Sequence, residues 1–139
     1  MYLIDTNVIS EARKGSRANA GVTDFFRTAI ADDSRLYLSA ITIGELRRGV
    51  ELLRYRGDLA QARKLEQWLT QLSNAFREFI LPFDADAAQV WGRLGVPHVE
   101  HDLDKQIAAI ALVSSLTVVT RNVRHYAGTG VPSRNPFAD

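Results

Sequence analysis

A three-layer α/β domain with a mainly parallel central sheet is the fold class this sequence predicts. Short apolar runs suited to buried strands alternate with helix-period patterns from end to end. Several helical patterns are opened or closed by residues that cap helices, such as Asp58, Asp84, Gly15 and Gly95. No repeat, low-complexity tract or linker divides the 139 residues, so one domain spanning 1–139 is expected.

The elements follow in order. Tyr2–Ile4 reads as the first strand, and Asn7 to about Lys14 as a short helix stopped by Gly15. In residues 19–31 the pattern places Val22, Phe25, Phe26 and Ile30 on one face of a second helix. Leu36–Ser39 is a short buried strand. After Thr42, the residues Ile43, Leu46, Val50 and Leu53 form the inward stripe of a longer helix. Gly57-Asp58 breaks it, and Leu59 to about Phe76 continues as a helix through Leu65, Leu69 and Leu72. The two should pack as a hairpin with arginines along their outer faces. Residues 79–83 form a third strand. Asp84 caps a helix with Ala87, Val90, Trp91 and Leu94. A polar loop over 97–102 leads into the helix beginning LDKQIAAIAL, and residues 116–120 form the fourth strand.

Composition is that of an ordinary globular protein, 46% hydrophobic and 24% charged. No apolar run approaches the roughly 18–20 residues of a membrane span, and no signal peptide is visible. Cysteine is absent, which excludes disulfides and thiolate metal sites and suits a reducing cytoplasm. The net charge of +1 says nothing about partners. All basic residues except Lys14, Lys64 and Lys105 are arginines, which suit phosphate and carboxylate but equally reflect coding bias.

Function is carried by acids. Right-handed crossovers place every strand's C-terminal end on one edge of the sheet, where ligands bind in open α/β folds. Asp5 ends the first strand, Glu45 lies in the first turn after the second, and Asp104 begins the helix before the fourth. Asn122 falls just past Thr120 at the end of that strand. Taken singly, each acid has a structural reading. Asp5 could cap a helix, Glu45 suits a helix N-terminus, and Asp104 could do the same with Asp102 as the cap. Taken together, three carboxylates on one rim repel by about 4 kcal/mol per pair at 4 Å and a dielectric near 20. A hard cation relieves that. All-oxygen ligation selects Mg²⁺, with Mn²⁺ as a substitute, and such an ion can activate water at a phosphodiester. Thr6 and Asn7 would orient the Asp5 carboxylate or a water.

The stretches MYLIDTNVISE, LSAITIGELRRGV, DKQIAAIAL and SLTVVTRN, with the NPF close at Asn135–Phe137, resemble the PIN-domain ribonucleases. The likeness is strongest to VapC toxins of bacterial toxin–antitoxin pairs, including the FitB-like branch, and it covers essentially the whole chain. It implies metal-ligand roles for Asp5, Glu45 and Asp104, a further active-site role for Asn122, and supporting roles for Thr6, Asn7 and Thr120. It implies metal-dependent endonucleolytic cleavage of RNA in the bacterial cytoplasm, usually by a homodimer. A cognate antitoxin, a small VapB-like DNA-binding protein, would hold it inactive, often by placing an arginine among the carboxylates. The pattern departs from the family where Asn122 and His125-Tyr126 replace acids, which favours one firm ion site and keeps open a catalytically weak module that binds RNA or antitoxin. Arg47, Arg48, Arg54, Arg56 and Arg63 are phosphate contacts or plain solvated helix faces.

Other chemistries lack support. His98, His101 and His125 read as surface residues, with no helical H-x-x-x-H pair or cysteine to make a zinc site. There is no G-x-S-x-G elbow, Walker A or G-x-G-x-x-G run. A dehalogenase-type phosphatase would need an acid where Asn7 stands. A receiver domain would need a carboxylate where Ser39 closes the second strand and a lysine beyond Lys105.

Overall fold

The computed structural model describes residues 1–139. Its five strands are β1 (Tyr2–Ile4), β2 (Leu36–Ser39), β3 (Ile80–Leu81), β4 (Thr117–Val119) and β5 (Ser133–Arg134). They form one sheet in the order β3-β2-β1-β4-β5, and every pairing is parallel. The seven α-helices are α1 (Thr6–Ala12), α2 (Ala20–Ala31), α3 (Ala40–Tyr55), α4 (Leu59–Ala75), α5 (Ala85–Leu94), α6 (Asp102–Val113) and α7 (Val123–Tyr126).

The period of two along each strand sends neighbouring residues to opposite faces. Ile4 and Val119 pack with Val8, Phe25, Val50 and Leu69 from α1 to α4. Leu3 and Val118 pack with Ala87, Ile107, Ile110 and Tyr126 from α5 to α7. The result is the expected α/β/α layering. In α6 the five consecutive residues from Ile107 to Ala111 are all buried, because that helix is enclosed on more than one side. Both edge strands have two residues, a length that limits unwanted pairing.

Four details differ from the sequence reading. α3 begins at Ala40 rather than after Thr42, which puts Glu45 in its second turn and not its first. Ile30 is 72% exposed, and Ala29 takes the inward place. At about 100° per residue, Ile30 points well away from the stripe through Val22 and Phe25. The third strand shrinks to Ile80–Leu81, and the fifth strand and α7 lie in a segment to which the sequence reading assigned no element. Asp102 is not the cap of α6: His101 occupies that position, and the Asp102 carboxylate accepts from Trp91 Nε1 at 3.1 Å.

The C-terminal tail is locked against α2. Asn19 Oδ1 accepts from the backbone nitrogens of Gly21 and Ala138, both at 2.9 Å, and Asn19 Nδ2 donates to the Ala138 carbonyl at 2.9 Å. A Cβ at Gly21 would overlap the Pro136 carbonyl oxygen and sit 2.5 Å from Ala138 N. Gly21→Ala should therefore destabilise the protein by about 1–3 kcal/mol in urea denaturation and open the tail to proteolysis. Were the tail not packed there, the same change would stabilise the helix by up to about 1 kcal/mol.

Candidate active site

β1 has β2 on one side and β4 on the other, so the strand order reverses beside it. A crevice at such a reversal, beyond the strand C-terminal ends, is where this architecture binds ligands. Asp5 stands there as the first residue after β1, its nitrogen donating to the Val119 carbonyl at 2.9 Å.

Asp5 is 2% exposed. Its Oδ1 accepts from Thr6 N at 2.8 Å, the helix-capping role that the sequence allowed. Its Oδ2 does more. It accepts from Thr120 Oγ1 at 2.7 Å, from the Tyr126 hydroxyl at 3.1 Å and from Asn7 Nδ2 at 3.4 Å. No cation pairs with it. Burial raises its pKa and the Asp104 charge raises it further, while the Thr120, Thr6 and Tyr126 hydrogen bonds offset part of this.

Glu45 lies in α3, which Ser39 caps by accepting from Thr42 N at 3.0 Å. The Thr6 hydroxyl donates to Glu45 Oε1 at 2.8 Å and is bonded to the Thr42 hydroxyl at 3.0 Å. The first turns of α1 and α3 are thus tied together through the side chain that positions this acid. Burial raises the Glu45 pKa, and the Asp5 and Asp104 charges add to it; the Thr6 hydrogen bond and Arg48 act in the opposite direction. Thr6→Val keeps the shape and removes that donor. It should raise the Glu45 pKa further, read by NMR titration, while leaving the circular dichroism spectrum intact.

Asp104 sits in the first turn of α6, and His125 Nδ1 donates to its Oδ2 at 2.6 Å. Both are partly buried. The three expected acids therefore share one rim and feel one another's charge. They do not form the tightest donor set, however. The three residues whose ligand atoms all lie within 4.8 Å of one another are His101, Asp104 and His125. Asn122 is exposed; its backbone nitrogen donates to Thr120 Oγ1 at 3.0 Å, and its amide makes none of the bonds in the cluster. Asn7 links the two sides of the crevice, with Oδ1 accepting from Arg121 N at 3.0 Å.

Two residues acquire parts that sequence reasoning did not give them. Tyr126 buries its ring against α6 and aims its hydroxyl at Asp5; burial and the Asp5 charge raise its pKa, so it remains a donor. His125, expected at the surface, is partly buried and holds Asp104, while His101 is exposed as expected and stacks on the His125 ring with centroids 3.8 Å apart. The adjacent pair His125-Tyr126, where the sequence departs from the pattern it resembles, was the available signal. Among the arginines, Arg47 and Arg54 are committed to Glu51 and Glu66 in a network on the α3–α4 hairpin. Arg48 is exposed and lines an open cavity of about 300 Å³ with Glu45, Ile41 and Leu103.

Fold and site together define a parallel α/β domain with an acidic crevice at its topological switch point. The chain belongs to the PIN-domain family, whose model matches residues 2–129. It is 37% identical to Toxin FitB of Neisseria gonorrhoeae over 146 residues, covering 100% of both chains. It is 32% identical to VapC ribonuclease Y4jK of Sinorhizobium fredii over 144 residues, covering 99% of this chain and 98% of that one. The crystal structure of FitAcB from Neisseria gonorrhoeae superposes with a TM-score of 0.82 at 36% identity, covering 98% of each chain. No helix is long and apolar enough to cross a membrane.

Proposed function

We propose that this protein is a divalent-metal-dependent endoribonuclease and the toxin of a type II toxin–antitoxin pair. The observation that carries the reading is Asp5, a buried carboxylate with no cationic partner and a raised pKa, facing two further acids across the crevice. Such a set is fitted to a hard cation, because its donors are carboxylate oxygens and the charge is otherwise uncompensated. Asp5, Glu45 and Asp104 would hold Mg²⁺, or Mn²⁺ in its place. Bound there, the ion supplies electrostatic stabilisation at phosphorus and activates water for direct attack.

The chain's own residues prepare this. Thr120 and Tyr126 fix one oxygen of Asp5, Thr6 fixes Glu45, and His125 fixes Asp104, so each ligand is held before an ion or RNA arrives. Asn122, exposed just before α7, would orient substrate or water through its amide. The relatives named toxin and ribonuclease support the reading. It extends to a single PIN domain over 1–139, a homodimer, a cytoplasmic location, and a cognate VapB-like antitoxin as partner.

The second reading is a PIN-fold module that binds RNA or antitoxin with little cleavage; the uncharged Asn122 favours it. Cleavage of total RNA separates the two. Activity should require Mg²⁺ or Mn²⁺, stop on chelation, and fall about 100-fold in Asp104→Asn. Cleavage that survives chelation, or that Asp104→Asn leaves unchanged, would point to a contaminating nuclease and favour the binding module.

A further inference from the structure

We propose that His101, Asp104 and His125 form a second metal site, selective for a borderline divalent ion of the Zn²⁺ and Co²⁺ class over Mg²⁺. The site shares Asp104 with the carboxylate set but differs from it in chemistry. Two imidazoles and one carboxylate suit Zn²⁺, Co²⁺ and Ni²⁺, whereas Mg²⁺ prefers oxygen throughout and gives up water reluctantly.

Three features converge. The ligand atoms of the three residues lie within 4.8 Å of one another. Tetrahedral bonds of about 2.0–2.1 Å hold ligands roughly 3.3 Å apart, so the set closes onto an ion with small movements. His125 Nδ1 and Asp104 Oδ2 are already 2.6 Å apart, and an ion between them would take the place of the Nδ1 proton, with the imidazole carrying its proton on Nε2 instead. His101 supplies the third arm through a left-handed backbone at φ 47°, a conformation that a non-glycine residue rarely adopts. That turn lays its ring on His125 with an angle of 14° between the planes.

Parallel rings do not aim both nitrogen lone pairs at one point. His101 is exposed, so ligation would proceed by rotation of its side chain out of the stack. The remaining positions face solvent. The site would therefore exchange ions freely and leave room for an added water or a phosphate oxygen. Through Asp104, occupancy of this site by a borderline ion would compete with or complement a hard ion bound to Asp5 and Glu45.

The test uses the full chain, stripped of metal and titrated with Co²⁺, whose visible absorption reports nitrogen ligation and geometry. One equivalent should bind and resist a large excess of Mg²⁺. His101→Asn tolerates the left-handed backbone and should weaken Co²⁺ binding about tenfold or more, with loss of absorption intensity. His125→Gln should do the same or worse, and Glu45→Gln should retain the band. Co²⁺ binding that both histidine variants leave unchanged, or that Glu45→Gln abolishes, would overturn the proposal, as would ready displacement by Mg²⁺. The readout contains no RNA, so its failure leaves the cleavage reading standing, and the reverse holds.

Discussion

Asp5→Asn should lower RNA cleavage on the order of 10³-fold while leaving the metal-free protein at least as stable at pH 7 as the unsubstituted chain. The two halves of this result have one cause. Asp5 is the most buried of the three acids and the one whose charge both strand ends surround, so no neighbour can replace it as a ligand. Its burial also makes the ionised form unfavourable in the native state. In the unfolded chain that carboxylate ionises freely. A carboxyl whose pKa is raised on folding contributes stability that is complete below its unfolded pKa and disappears as pH rises through the folded value. At pH 7 the Asp5 carboxyl therefore weighs against the fold, and a neutral amide of the same shape does not. The Thr120 and Tyr126 hydroxyls can turn to accept from the new amide, at the loss of the long Asn7 Nδ2 contact at 3.4 Å. Cleavage and thermal melting of both chains, metal-free at pH 7 and again near pH 4, check this. The stability advantage of the variant should shrink at the lower pH. A variant that melts well below the unsubstituted chain at pH 7 would mean that Asp5 serves mainly as the cap of α1.

How far the sequence reaches depends on whether a residue's place is set by its neighbours in the chain or by distant ones. β1 with Asp5, β2 over Leu36–Ser39, and the Asp58 and Asp84 caps were legible because local pattern and capping chemistry determine them. β5 was not legible. Ser133 and Arg134 are exposed and polar, and only backbone pairing with Val118 and Val119 makes them a strand. The inward face of α2 was misjudged at Ile30, where hydrophobicity outweighed angle. The acids could be placed on one rim by topology, but their orienting partners could not. The Thr6 bond to Glu45 spans 39 residues, and the Tyr126 bond to Asp5 spans 121. His125 is the sharpest case. As a lone histidine without a helical partner it read as surface, and only tertiary packing brings its Nδ1 to Asp104.

Divalent-ion removal should make the protein's stability fall as pH rises, and Mg²⁺ should reverse that trend. Asp5 and Glu45 both have raised pKa values, caused first by burial and then by neighbouring acids. By linkage, each favours the fold at low pH and weighs against it once ionised, so the metal-free protein should melt lower at pH 7 to 8 than near pH 5. A bound cation favours the ionised forms and binds only the native state. At a hundredfold excess over its Kd, it should add about 2.7 kcal/mol, roughly 10 °C in Tm for a chain of this size. The gain should be largest at pH 7 to 8 and shrink toward pH 4, where protons compete with the ion for the same oxygens. Glu45→Gln should flatten both the metal-free slope and the Mg²⁺ response, because it removes one acid from the set and one ligand from the ion. Melting curves across pH with Mg²⁺ or chelator supply the comparison. A metal-free protein that gains stability from pH 5 to 8 would show that the crevice tolerates its three charges without a cation. The central physical argument for an ion site would then fail, whatever activity the protein displayed.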